Sequence, residues 1–118
     1  MSYLAKSALV FGFVAAVGAA AISVAKADVL RVAIVEAENE ADFKSNVALL
    51  PTFADLLKKG GAKAVVVGSD AEHKAIATSS VWESAADLAK FTGSDDWKAA
   101  AGKLKRKTYT TEVFEVAP

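Results

Sequence analysis

AKAVVVGSDAEHKAIATSSVWES, residues 62–84, holds the arrangement that decides the fold. Two runs rich in small and β-branched residues, Ala62 to Gly68 and Lys74 to Trp82, flank a short polar connection from Ser69 to His73. That spacing predicts a hairpin. Gly60-Gly61 stands just before the first run and ends the element upstream. Ser84 follows the second run with Asp87 three residues on, a variant of the capping box that opens a helix. The hairpin is therefore expected between two helices.

Upstream, Phe43, Val47, Leu50, Ala54 and Leu57 recur at alternating steps of four and three within Glu40 to Lys59. This is one stripe of an amphipathic helix, widened by Leu49, Phe53 and Leu56. Asn39 suits its N-cap, and Lys58 and Lys59 suit its C-terminal dipole. Pro51 lies inside the stripe and predicts a kink or split near Leu50. Before the helix, Val29 to Ala37 reads as a strand with two apolar faces. Leu30, Val32 and Ile34 fall on one face, and Val29, Ala33 and Val35 on the other beside Arg31. Such a strand is expected to be covered on both sides.

Downstream, Leu88 and Phe91 give the second helix its apolar face. Thr92-Gly93 interrupts it, Ser94 recaps it, and Trp97, Ala100, Ala101 and Leu104 form the next stripe. Thr108 to Val116 closes the chain as a fourth strand. The order β-α-β-β-α-β predicts an α+β, ferredoxin-like split arrangement: a four-stranded antiparallel sheet with helices on one face. Residues 28–118 are expected to form one domain.

The first 27 residues read differently. Lys6 precedes an uncharged run from Ala8 to Ala25, which ends in Ala25-Lys26-Ala27 before Asp28. A basic start, an apolar stretch and an A-x-A site make a cleavable secretory signal, so a periplasmic or secreted product is expected. The alternative is an uncleaved helix anchoring the chain to a membrane. The alanine and glycine padding of the run favours cleavage, which would leave no stable membrane insertion. Lys6 and Lys26 would leave with the leader, so 12 of the 14 basic side chains would face 14 acidic ones. That balance is no footprint for nucleic acid. Cysteine is absent, which excludes disulfides and thiolate metal sites. A domain this small, without such staples, commonly recruits a second copy, so a homodimer is expected.

Ala75 to Lys107 carries a further signal: Val81-Trp82-Glu83-Ser84 at a strand end, then Asp87-Leu88 and Phe91, then Ser94 and Trp97 before a basic helix end. This pattern resembles the dimeric α/β-barrel superfamily, in particular its antibiotic-biosynthesis-monooxygenase-like (ABM) domains. The resemblance implies two sheets packed face to face, with Val29, Ala33 and Val35 turned away from the helices. It also implies a range of chemistries, including cofactor-independent oxygenation and haem degradation. The haem degraders that look similar pair a tryptophan at the place of Trp82 with an asparagine on the first strand and a histidine on the second helix. Neither partner occurs here, so no cofactor is expected.

Trp82, Tyr109, Thr78 and Ser80 are the candidates to line a ligand cleft between sheet and helices. Each has a plainer alternative, above all Trp82, a large aromatic suited to filling the core. His73 sits among Asp70, Glu72 and Lys74 and reads as a solvated loop residue. Asp95-Asp96 suits a helix start better than a metal, and Lys103, Lys105, Arg106 and Lys107 suit a helix end. No catalytic residue and no metal site is assigned. The expected function is therefore an exported dimeric domain of unassigned chemistry, with room for a small apolar or aromatic ligand. The alternative is a cofactor-independent ABM-like monooxygenase acting on a small aromatic. Maturation at the A-x-A site should leave Asp28 as the first residue, which intact mass of the protein from its host reads directly. A chain still beginning at Met1 and extracting with membranes would restore the anchor.

Overall fold

The computed structural model describes residues 28–117. The expected signal segment, 1–27, lies outside them. The elements run β1 (Val29–Glu36), α1 (Glu40–Lys59), β2 (Ala64–Asp70), β3 (Ala75–Trp82), α2 (Ala85–Thr92), α3 (Asp95–Ala101) and β4 (Thr108–Glu115). The sheet order is β2-β3-β1-β4, every neighbouring pair antiparallel, which is the ferredoxin-like split arrangement.

Local chemistry places the helix starts where the side chains direct them. Asn39 Oδ1 accepts from Asp42 N at 2.9 Å, Ser84 Oγ from Asp87 N at 3.1 Å, and Ser94 Oγ from Trp97 N at 3.3 Å. Each satisfies an amide that a helix N-terminus leaves without a partner. The second helical stretch is thus two short helices, with the break at Gly93. Helix α1, by contrast, runs unbroken through Pro51. The split expected there does not occur, because Phe43, Asn46, Leu50, Phe53 and Leu57 bury one continuous stripe on both sides of the proline. Packing of that stripe outweighs the hydrogen bond proline removes. No helix among the described residues is long and apolar enough to cross a membrane.

The two faces of β1 are assigned the other way round from the expectation. Val29, Arg31, Ala33 and Val35 are all buried, and they stand opposite Trp82, Ser80, Thr78 and Ile76 of β3, which are buried too. Val29, Val35, Ile76 and Trp82 join Phe43, Leu50, Phe53, Leu57, Leu88, Phe91 and Trp97 in the core. This is the face that the helices cover. Leu30, Val32 and Ile34 occupy the opposite face, where Ile34 is 44% exposed. The large side chains decide the matter. Register with β3 puts Trp82 and Ile76 beside Val29 and Val35, and only the helix layer supplies enough apolar surface to enclose them.

A chain of rings runs through that core. Trp82 and Phe91 have centroids 5.0 Å apart, Phe91 and Trp97 5.0 Å, and Phe53 and Trp97 5.5 Å, all tilted. Such contacts add to area burial. Gly60 lets the end of α1 approach this layer, since a Cβ there would overlap the Phe91 ring. Gly61 adopts φ +114°, a conformation open to glycine, and turns the chain into β2.

Asn46 ties the layer to the segment that leads into β4. Its side chain is fully buried, its Nδ2 donates to Lys105 O at 2.8 Å, and its Oδ1 accepts from Lys105 N at 2.9 Å. One amide thereby satisfies two backbone groups across the helix–loop boundary. Asn46→Leu keeps the volume and removes both bonds, so it should lower the stability of the domain by about 1–3 kcal/mol in urea denaturation. An unchanged midpoint would show that water replaces the clasp without loss.

Candidate ligand cleft between sheet and helices

Arg31 is the anomaly of the core. It lies near the start of central strand β1, between Val29 and Ala33 on the helix-covered face, and is only 4% exposed. Its guanidinium carbon sits 5.2 Å from the centre of the Trp97 ring. Nη2 donates to the Tyr109 hydroxyl at 2.9 Å. Nη1 is buried and has no hydrogen-bond partner among the described residues. A ring face and one neutral phenol compensate a buried cation only in part.

Trp97 is held in place by its own helix. The Ser94 cap fixes the first turn of α3, and Phe53 and Phe91 pack against the indole from two sides. Tyr109 projects from β4 opposite Val35, and the Arg106 guanidinium carbon lies 5.0 Å from its ring centre. Thr111, opposite Ala33 and so a diagonal neighbour of Arg31 on the same face, has a buried Oγ1 that also lacks a partner.

Arg31, Trp97 and Tyr109 form a shared wall between two cavities. The smaller, about 40 Å³, continues along Val35, Phe53, Ile76, Thr78, Leu104 and Arg106. It has room for an ordered water or a single small group. The larger, about 420 Å³, is an open groove along Leu88, Ala89 and Thr92 of α2 and Thr111 and Val113 of β4. Among the described residues, no aspartate, glutamate or histidine lines either. The walls are apolar, and the polar groups that interrupt them are hydroxyls and guanidinium nitrogens.

The four residues proposed from sequence divide evenly. Thr78 and Tyr109 line the smaller cavity, and Tyr109 the larger as well. Trp82 and Ser80 line neither. Trp82 is fully buried, stacks on Phe91, and donates from Nε1 to Ser80 Oγ at 2.8 Å, so each satisfies the other inside the core. His73 stays in the hairpin turn, where its Nδ1 lies 2.7 Å from Asp70 Oδ2. Hydrogen bonds from the His73 side chain and backbone hold the Asp70 carboxyl below its ordinary range. With Glu72 these groups bring ligand-type atoms within 4.8 Å of one another, all exposed and outside the cleft lining. Asp95 and Asp96 occupy the first turn of α3. Lys103, Lys105, Arg106 and Lys107 follow α3, and of these Arg106 reaches the cleft.

Sequence reading passed over Arg31, Trp97 and Thr111 as site residues. A signal for Arg31 was present: a lone charge at an alternate position of a strand otherwise apolar on that face. Trp97 looked like one more member of a helix stripe. Thr111 sits in TYTTEVFEV, where three threonines are equivalent until the register is known.

No family model and no curated protein matches the sequence. Solved structures do match its fold. A conserved protein of unknown function from Bacteroides thetaiotaomicron superposes with a TM-score of 0.69 at 16% identity, covering 78% of this chain and 100% of that one. SnoaB, a cofactor-independent oxygenase from Streptomyces nogalater, gives 0.64 at 12% identity, over 78% and 95%. A dimeric ferredoxin-like protein of unknown function from Thermobifida fusca gives 0.65 at 11% identity, over 77% and 92%. The chain has the fold of the ABM-like domains. At these identities the likeness is one of architecture, and chemistry has to be argued from the cleft.

Proposed function

We propose that this is an exported, self-associating ABM-like domain that binds a small, largely apolar ligand in the cleft between its sheet and α2–α3. The observation that carries the reading is the larger cavity. Its apolar walls meet a cluster of polar atoms, two of them buried without partners, which is the general build of a small-molecule site. Export rests on the Lys6, Ala8–Ala25 and Ala25-Lys26-Ala27 pattern. The alternative reading, oxygenation of a small aromatic without a cofactor, draws support from the shared fold of SnoaB. Such chemistry calls for a group to take a proton from the substrate. The cleft lining offers hydrogen-bond donors in place of a base, and binding is therefore the function favoured.

Self-association has its own support. The sheet face away from the helices carries Leu30, Val32 and Ile34 of β1 beside Val81 of β3, with Val66 of β2 69% exposed. Contiguous apolar patches larger than a few hundred Å² commonly mark a surface that a partner covers. A second copy placed sheet to sheet would cover this one, and dimeric proteins share the fold. Residues 28–118 should sediment as a dimer at micromolar concentration, and Ile34→Lys should give a folded monomer. A wild-type monomer would remove the face-to-face arrangement.

Ligand binding has an internal optical probe. Small aromatic compounds that enter the cleft should quench Trp97, so the signal should persist in Trp82→Phe and disappear in Trp97→Phe. Quenching carried by Trp82, or the absence of any response across a broad aromatic panel, would contradict the cleft reading.

A further inference from the structure

We infer that the cleft selects an anion: its ligand is a small apolar body, aromatic or aliphatic, bearing one carboxylate whose oxygen docks on Arg31 Nη1 and Thr111 Oγ1. The inference rests on the cleft-binding reading and adds the chemical class. Among the described residues Arg31 is the only charged side chain buried in the core, and its Nη1 lacks a partner. A guanidinium does not relieve this by giving up a proton. An acceptor relieves it, a carboxylate more strongly than a water, and the described lining of both cavities supplies no protein carboxylate.

The remaining polar groups point the same way. Tyr109 Oη accepts from Arg31 Nη2, which leaves its own proton free to donate. Thr111 Oγ1 is buried without a partner beside the same cavity. Arg106, 5.0 Å from the Tyr109 ring centre and lining the smaller cavity, adds a second positive charge. Three donors and two cations, with no acidic residue among them, repel a cationic ligand and underuse a neutral one. Tyr109 is 43% exposed and its hydroxyl is bonded to Arg31 Nη2, so its proton stays beside the entering oxygen while the ring has room to shift. The apolar body then rests in the larger cavity against Leu88, Ala89 and Val113.

The test pairs 1-naphthoate with 1-naphthamide, which share ring and shape and differ in charge. Calorimetric titration of residues 28–118 should show the carboxylate binding about tenfold to a hundredfold more tightly than the amide. Arg31→Met should abolish that preference and, by removing a buried cation, raise the melting temperature of the free domain by a few degrees. Thr111→Val, a substitution of matched shape on an exposed-edge strand, should reduce naphthoate affinity while leaving naphthamide unchanged. It serves as a second readout should Arg31→Met not fold. Equal binding of the two compounds, unaltered by either variant, would overturn the anion and leave the cleft reading standing. Absence of binding by both compounds would remove the anion assignment and count against the cleft as well. A lower melting temperature in Arg31→Met with the preference intact would make Arg31 a structural residue and overturn the inference.

Discussion

A guanidinium on the central strand, turned toward the helices, is the constraint on which the rest of this domain depends. Burying it obliges the surrounding layer to supply something better than hydrocarbon. The fold answers with a ring face from Trp97 and a hydroxyl from Tyr109. Both groups have to be placed with care. Trp97 is positioned by the Ser94 cap and by two neighbouring rings, and Tyr109 by the pairing of β4 with β1. The Asn46 clasp on Lys105 then holds the segment between α3 and β4, so that both contacts stay in register. What these elements leave undone is as informative as what they achieve. One guanidinium nitrogen and one threonine hydroxyl remain without partners at the wall of a cavity. Native cores seldom leave such atoms unpaired without a reason.

The two faces of the sheet divide the work. One face and the helices enclose the core and the cleft. The other presents Leu30, Val32, Ile34 and Val66, side chains that add little to the core of a single copy. This division follows from the topology. A split βαβ unit places both helical segments on one side, so the opposite side is available for a partner. Solved structures at 11% and 16% identity share the architecture, which fits a scaffold whose constraints are patterning and packing density. The chemistry of each member then depends on which side chains interrupt the apolar walls.

Much of the architecture was legible in the sequence because each element boundary carried its own chemistry. Asn39, Ser84 and Ser94 announced helix starts, Gly60-Gly61 a stop, and the hairpin lay between two strand-like runs. The face of β1 was not legible. Val29, Ala33 and Val35 are apolar and so is the bulkier set Leu30, Val32 and Ile34, and alternation alone does not say which set meets the helices. Arg31 made the true core face look like the less apolar one. Pro51 misled for a related reason: local propensity argues for a break, whereas a buried stripe crossing the proline holds the helix together. Trp82 drew attention as the rarest side chain at a strand end, yet its partner Ser80 lies two residues away in the same strand and encloses its polar atom. The cleft's shared wall joins Arg31 of β1 to Trp97 of α3 and Tyr109 of β4, the first far from the other two in sequence. Only the register and the short helix break bring them together.

The most direct measurement is a crystal structure of residues 28–118 grown with 1-naphthoate. The expected result is a carboxylate oxygen within hydrogen-bond distance of Arg31 Nη1, with the Tyr109 hydroxyl beside it and the ring system against Leu88 and Val113. A carboxylate of the protein itself on Nη1, from the same chain or from a second copy, would contradict it, because the buried charge would then be satisfied without any ligand.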